Sequence, residues 1–267
     1  MIFLPTRSVL RIAGADRKGF LQGLITNDVN RLSPTHPLYA VMLSPQGKVL
    51  FDFIFTEQSE EIWLDCWREK VADLVQKLTM YKLRAKVTIA WDESLQVYAG
   101  LGIQDSGFRD PRHPELGARL ITAEALPAGN FSDYDLHRLS LGIPDSADFI
   151  PDRSFAMEFG IADLHGISYT KGCYVGQEIV ARSKTRGVLN KALYKVTAET
   201  NLPAIDTPIM RGETEMGTLR SSAGNIGLAI LRIDEVAKAE PLTAAGISLT
   251  AQLPDWFSLP TPAINAP

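Results

Sequence analysis

The stretch that most constrains this chain is residues 39–55. Two apolar runs, 39–43 (YAVML) and 48–55 (KVLFDFIF), flank Ser44-Pro45-Gln46-Gly47. A Pro followed two places later by Gly between such runs predicts a hairpin turn. A third strand is expected over 61–65. Residues 68–80 carry Val71, Leu74, Val75 and Leu78 at i, i+3, i+4 and i+7, which is one face of a helix. Strands follow at 86–91 and 95–101. Ahead of the hairpin, 8–13 reads as a strand, and Gly14-Ala15-Asp16 opens a helix with Asp16 as N-cap. Phe20, Leu21, Leu24 and Ile25 give that helix an apolar stripe, and Thr26-Asn27-Asp28 ends it. Strands, a helix and more strands imply an α+β unit.

The Pro-, Gly- and charge-rich stretch 104–116 is expected to be a loop or domain crossing. A helix should start near Ser132, where Ser132 and Asp135 fit a capping box, and stop at Gly142-Ile143-Pro144. From about residue 190 the pattern changes. Runs at 192–197, 216–220 and 226–233, punctuated by Gly and Pro, predict a small β-barrel or sandwich. The Pro-rich end is expected to lie extended along the surface.

Composition removes several classes of function. The 267 residues carry 27 Lys plus Arg against 31 Asp plus Glu, a net charge of −4. Such a chain does not attract duplex nucleic acid through its bulk field. Cys66 and Cys173 are the only cysteines, too few for a disulfide framework or for the four ligands of a four-iron cluster. The four histidines are scattered, with no HExxH or CxxC. The N-terminus lacks the pattern of a secretory signal or an Arg- and Ser-rich presequence, and no segment has the ~18 unbroken apolar residues of a membrane helix. A reduced, cytoplasmic monomer that does not engage membrane is therefore expected.

Two places could carry chemistry. The first is Lys171-Gly172-Cys173-Tyr174-Val175-Gly176-Gln177-Glu178, with Arg182, Lys184, Arg186 and Lys191 downstream. Glycines permit close backbone approach. A thiol in a field of cations is favoured as thiolate, and the same cations could receive a carboxylate or phosphate tail. The alternative is a buried structural cysteine beside a solvated basic loop. Cys66, at an apolar strand end, reads as structural. The second place is Asp52, the only charge in Val49-Leu50-Phe51-Asp52-Phe53-Ile54-Phe55. It shares a face with Leu50 and Ile54 by alternation. If that face is buried, desolvation raises its pKa and suits it to proton transfer or to bonding a heterocycle. If the sheet has a wet side, it is simply exposed. A hydrolase triad of Asp16, His137 and Ser140 lacks a GxSxG elbow, and Gly172 and Gly176 do not have P-loop spacing.

KGCYVGQE resembles the signature of the YgfZ family of folate-binding proteins, which are similar to the glycine-cleavage T-protein. The likeness extends to Asp148-Phe149-Ile150-Pro151, His165-Gly166-Ile167-Ser168-Tyr169 and Val180-Ala181-Arg182, to Phe20–Val29 near the N-terminus, and to Pro45-Gln46-Gly47-Lys48. The resemblance implies an α+β, three-domain ring around a central folate cavity. The first domain would be split over 1–37 and 116–188, with an α+β domain inserted at 39–115, a C-terminal β-barrel at 189–255 and a tail at 256–267. It implies a tetrahydrofolate-binding accessory factor for iron–sulfur proteins, including cluster-dependent tRNA-modifying enzymes. Iron–sulfur clients or assembly machinery would be its partners. Cys173 and Lys171 would be the functional pair. Asp52, Tyr174, Gln177, Glu178, Arg182 and Arg138 would contact folate, with Tyr174 on the pterin and the cations at the glutamate tail. The alternative is a folate-dependent aminomethyl transferase or demethylase using Asp52. Phe51 stands where the T-protein has the first of two paired aspartates, and Ser140 where it has a folate-facing glutamate.

Overall fold

The structure, a computed structural model, describes residues 1–103, 107–187, 189–236 and 241–259. Residues 104–106 of the expected crossing, Val188 and the tail from 260 lie outside the described residues, as does the side chain of Arg186.

The N-terminal half builds two sheets. Strands β1 (Ile2–Phe3) and β2 (Arg7–Ala13) lead into helix α1 (Arg17–Gln22). The hairpin follows as β3 (Leu38–Leu43) and β4 (Val49–Gln58), then β5 (Glu61–Trp67), α2 (Val71–Lys82), β6 (Thr88–Trp91), β7 (Gln96–Gly100), β8 (Phe108–Arg109) and β9 (Ala118–Thr122). One sheet has the order β3-β4-β5-β2-β6 and the other β1-β7-β9-β8. Helix α2 buries Val71, Leu74 and Leu78 against the first sheet, the stripe its spacing required. Helices α3 (Phe131–Ser140) and α4 (Gln177–Arg186) follow.

The C-terminal part closes on itself. Strands β10 (Lys191–Thr197), β11 (Pro208–Arg211), β12 (Thr214–Ala223), β13 (Ile226–Arg232), β14 (Leu242–Ala244) and β15 (Ile247–Gln252) form a closed barrel in the order β10-β13-β12-β11-β14-β15. Closure removes free sheet edges, which a structure this small otherwise has to cover. No helix among the described residues is long and apolar enough to cross a membrane.

Some expectations need correction. The cut between 37 and 39 runs through a sheet, because β2 pairs with β5 and β6 along its length. Asp16 occupies the N-cap position of α1 without capping it; its carboxylate accepts the Lys86 backbone N–H at 2.7 Å instead. No Ser132 capping box forms, since α3 starts one residue earlier, with Asn130 at the cap. The first part of the tail is not extended over the surface. Trp256 and Phe257 pack over Gly160, and the Trp256 indole N–H donates to the Leu141 carbonyl at 2.8 Å.

A buried ionic network ties the sheets together. Arg7 on β2 donates from Nε to Asp65 on β5 at 2.6 Å. Arg119 on β9 donates to the other oxygen of Asp65 and, at 3.1 Å, to Asp110. Arg112 grips Asp110 through Nε at 3.0 Å and Nη2 at 2.8 Å. Arg112 and Arg119 each donate at 3.0 Å to the Tyr134 hydroxyl on α3. Guanidinium pairs hold Asp110 down at about 2. Breaking such a buried pair from one side strands the other charge. Arg119→Ala is expected to cost about 3–5 kcal/mol in urea unfolding, whereas substitution of the exposed Arg232, which pairs with Asp234 at 3.3 Å, should cost under about 1 kcal/mol.

Candidate functional site

Three sequence blocks converge on one corner of the molecule. The loop after α1 lies against residues 165–175. Thr26 Oγ1 donates to the Gly166 carbonyl at 2.6 Å, Asn27 Nδ2 donates to the His165 carbonyl at 2.8 Å, and the Ser168 N–H donates to the Thr26 carbonyl at 3.0 Å. The β3–β4 turn lies against the start of α4. A Cβ on Gly176 would stand 2.6 Å from the Ser44 carbonyl oxygen, and one on Gly47 would stand 2.7 Å from Ile179 Cβ. Both glycines have positive φ, +82° and +73°, so each is required by conformation and by space.

Cys173 sits on the turn these contacts frame, and it is exposed. Lys171 seats the turn. Its ammonium donates to the carbonyls of Gln22, Ile25 and Asn27 at 2.7, 2.6 and 2.7 Å. Burial lowers it to about 8, with Asp28 acting in the opposite sense. All three protons are thus spent on α1 and the loop after it. Lys171 therefore fixes the backbone two residues from Cys173.

The expected gathering of cations is not what forms. Residues 177–186 are a helix rather than a loop, and Arg182 and Lys184 on it point to different partners. Arg182 pairs with Glu178 at 2.6 Å on the exposed face of α4. Lys184 lies over the Tyr169 ring, 3.5 Å from its centroid. Lys191 opens the barrel. Gln177 accepts the Tyr174 backbone N–H at 3.2 Å and so closes the turn. Tyr174 is in the core, beneath the Lys171 ammonium, and burial pushes its hydroxyl up to about 12. Arg138 is committed elsewhere. It donates to Asp135, Asp148, Ser221 and the Ile143 carbonyl, tying α3 to the barrel.

Asp52 is buried, not on a wet face. It lines a narrow pocket of about 20 Å³, room for a single water, with Phe51, Cys66, Trp67, Lys70, Ser146 and Phe149. The Ser146 hydroxyl donates to Asp52 and in turn accepts from Arg7 at 2.6 Å. Desolvation raises the Asp52 carboxyl against the pull of Arg7. Cys66 is inert here, its thiol pushed up to about 12 by burial. Cys173 is not among the residues lining this pocket, so thiol and carboxylate occupy separate places. Sequence reasoning found Asp52 but missed its company. Trp67 ends β5 and Lys70 lies in the link to α2, while Phe149 belongs to the family-like Asp148–Pro151 block and Ser146 lies just ahead of it. Only that block carried a signal.

Two outcomes follow from this geometry. Lys171→Met leaves three carbonyls without their donor and is expected to cost roughly 3 kcal/mol at about 1 kcal/mol per lost bond. Lys171→Arg should not restore it, since a planar fork does not match three converging acceptors. Chemical denaturation together with the rate of Cys173 alkylation checks both. Asp52 has a raised folded pKa, so its favourable contribution is present below its ordinary 3.8 and is lost as pH rises through the folded value. Asp52→Asn should therefore be more stable than the wild type at neutral pH, with the gap closing on acidification. Unfolding free energies measured across that range decide it.

The fold and sequence have clear relatives. The chain superposes on the aminomethyltransferase T of the glycine cleavage system from Bartonella henselae with a TM-score of 0.70, over 98% of this chain and 86% of that one, at 13% identity. This establishes the expected T-protein-like α+β fold. Residues 190–259 match the CAF17 C-terminal beta-barrel domain. The iron–sulfur cluster assembly factors IBA57 of Mus musculus and Homo sapiens are each 32% identical, over 95% of this chain and 84% of theirs. The IBA57 homologue of Mycosarcoma maydis is 30% identical over 88% of this chain and 74% of its own. These relatives carry the IBA57 name, not that of YgfZ. They are also named as mitochondrial, which overturns the cytoplasmic placement expected from the N-terminus. By identity and by the length covered, the chain belongs to the family of the IBA57 iron–sulfur cluster assembly factors.

Proposed function

We propose that this protein is a tetrahydrofolate-binding factor for the maturation or repair of iron–sulfur proteins, cluster-dependent tRNA-modifying enzymes among them, acting through Cys173. The observation that carries the reading is an exposed thiol on a turn locked by Lys171 and by two glycine contacts. A fixed, accessible thiol becomes, on losing its proton, a soft ligand suited to the iron of a cluster, which is cargo here. Its proton goes to solvent as the iron–sulfur bond forms. A single thiol leaves the remaining iron sites of a cluster to other ligands, where four cysteines would fill them. Relatives named as iron–sulfur cluster assembly factors support this reading.

The lining of the Asp52 pocket suits folate chemistry, and the pocket has to widen from about 20 Å³ to admit a pterin. Phe51, Trp67 and Phe149 supply aromatic walls for a pterin, and Asp52 supplies an acceptor for its N–H groups. Lys70, at the same pocket, would meet the glutamate tail, in place of the cations of α4. A folate bound there would supply a one-carbon carrier. Asp52 orients it and, with its raised pKa, can hold a proton at its carboxyl oxygen. That protonation behaviour also favours the second reading, aminomethyl transfer or demethylation.

In a strain lacking the protein, Cys173→Ala is expected to fail to restore iron–sulfur enzyme activity. Anaerobic calorimetry should show one-to-one tetrahydrofolate binding by the wild type, abolished in Asp52→Asn. Full rescue by Cys173→Ala rejects the thiol role. Absence of binding by folded wild type rejects the folate role. Turnover of an aminomethyl donor, lost in Asp52→Asn, would promote the second reading over the first.

A further inference from the structure

Among the described residues, eight large apolar side chains are exposed, and four of them, Met80, Tyr81, Leu83 and Trp91, fall between residues 80 and 91. Leu83 is 87% exposed and Met80 66%. They lie at the C-terminal end of α2 and on β6. The same segment is basic. Between Asp73 and Asp92 the sequence holds Lys77, Lys82, Arg84 and Lys86 and no carboxylate, in a chain whose net charge is −4. Contiguous exposed apolar surface with a charged rim marks an interaction site.

Two backbone features single this patch out. Strand β6 ends its sheet, and Thr88, Ala90 and Trp91 on it are exposed. It pairs with β2 on one side, so alternate N–H and C=O groups face outward as a template for another strand. The opposite edge, β3, is buried along its whole length. Leu83 caps α2 at φ +44° and ψ −108°, where glycine is the comfortable residue. A leucine held there and turned to water gains no packing within this chain. Strain of this kind collects where a surface is used. Trp91 is pinned as well, its indole N–H donating to Ser8 Oγ at 2.8 Å while the ring stays 41% exposed.

We propose that β6 and the end of α2 form a docking surface for an acidic, extended segment of a partner protein. The segment adds to β6 as a further strand, sets its carboxylates against Lys82, Arg84 and Lys86, and covers Leu83 and Met80 with an apolar side chain. Charge complementarity selects this occupant. A second copy of the chain would bring the same four cations edge to edge. An apolar lipid phase would leave the outward backbone groups of β6 without partners. The surface works independently of Cys173 and Asp52.

The test uses the whole purified chain and a capped, dye-labelled decapeptide alternating valine and glutamate. Anisotropy is expected to report saturable binding that weakens about fivefold or more as salt is raised through the screening range. Hydrogen exchange should slow at residues 88–91. Arg84→Glu/Lys86→Glu should weaken binding at least tenfold. Leu83→Gly should weaken it while leaving the fold as stable as wild type or more so, which separates docking from folding. The proposal fails if the peptide does not bind, or if neither variant changes its affinity. It also fails if the chain binds phosphatidylserine–phosphatidylcholine vesicles and not the peptide.

Discussion

Everything else in this molecule is arranged around a buried chain of guanidinium and carboxylate groups. Arg7, Asp65, Arg119, Asp110 and Arg112 are all almost completely withdrawn from water. They come from β2, β5, β9 and the loop after β8, so the network joins the two N-terminal sheets where apolar packing alone would let them slide. Burying so many charges costs several kcal/mol per ion before pairing. What is gained is a fixed relation between parts, because each guanidinium has hydrogen-bond geometry that only one arrangement satisfies. A second cluster repeats the device toward the barrel. There Arg138 on α3 holds Asp148, which also accepts from Ser221 on β12.

The thiol turn is seated by a different means, backbone against backbone. Gly47 and Gly176 let the β3–β4 turn and the start of α4 approach closely, and the Lys171 ammonium closes the gap to the loop after α1. The strand that begins at this turn runs on to Asp52 three residues past Val49. Cys173 and the Asp52 pocket are thus separate places on a common rigid support.

Much of the scaffold was legible in the sequence because it obeys local rules. Alternation and Pro45-Gln46-Gly47 fixed the hairpin, and Val71, Leu74 and Leu78 fixed α2. Asp52 stood out as one charge among apolar neighbours. The ionic network was illegible for the opposite reason. Arg7, Asp65, Asp110, Arg112 and Arg119 each sit in unremarkable local surroundings, and only the fold brings them together. Helix α4 was missed because Gly176 opens it without a side-chain cap and its sequence, QEIVARSKTR, is mostly polar. The seating of Lys171 was illegible because sequence shows that a cation is near a thiol, not where its ammonium points.

The same network explains why Asp52, unlike Asp110 and Asp145, has a raised pKa. Arg7, Arg112 and Arg119 can balance three carboxylates, and Asp65, Asp110 and Asp145 take the direct guanidinium contacts. Asp110 and Asp145 are held well below the ordinary range by those cations. Asp52 is the fourth carboxylate. It receives a hydroxyl from Ser146 and only the more distant field of Arg7, and burial therefore wins. Its raised pKa comes from being surplus in a cluster whose cations are already assigned. A group in that position has a proton affinity that a bound ligand can readily change, because no ion pair has to be broken first.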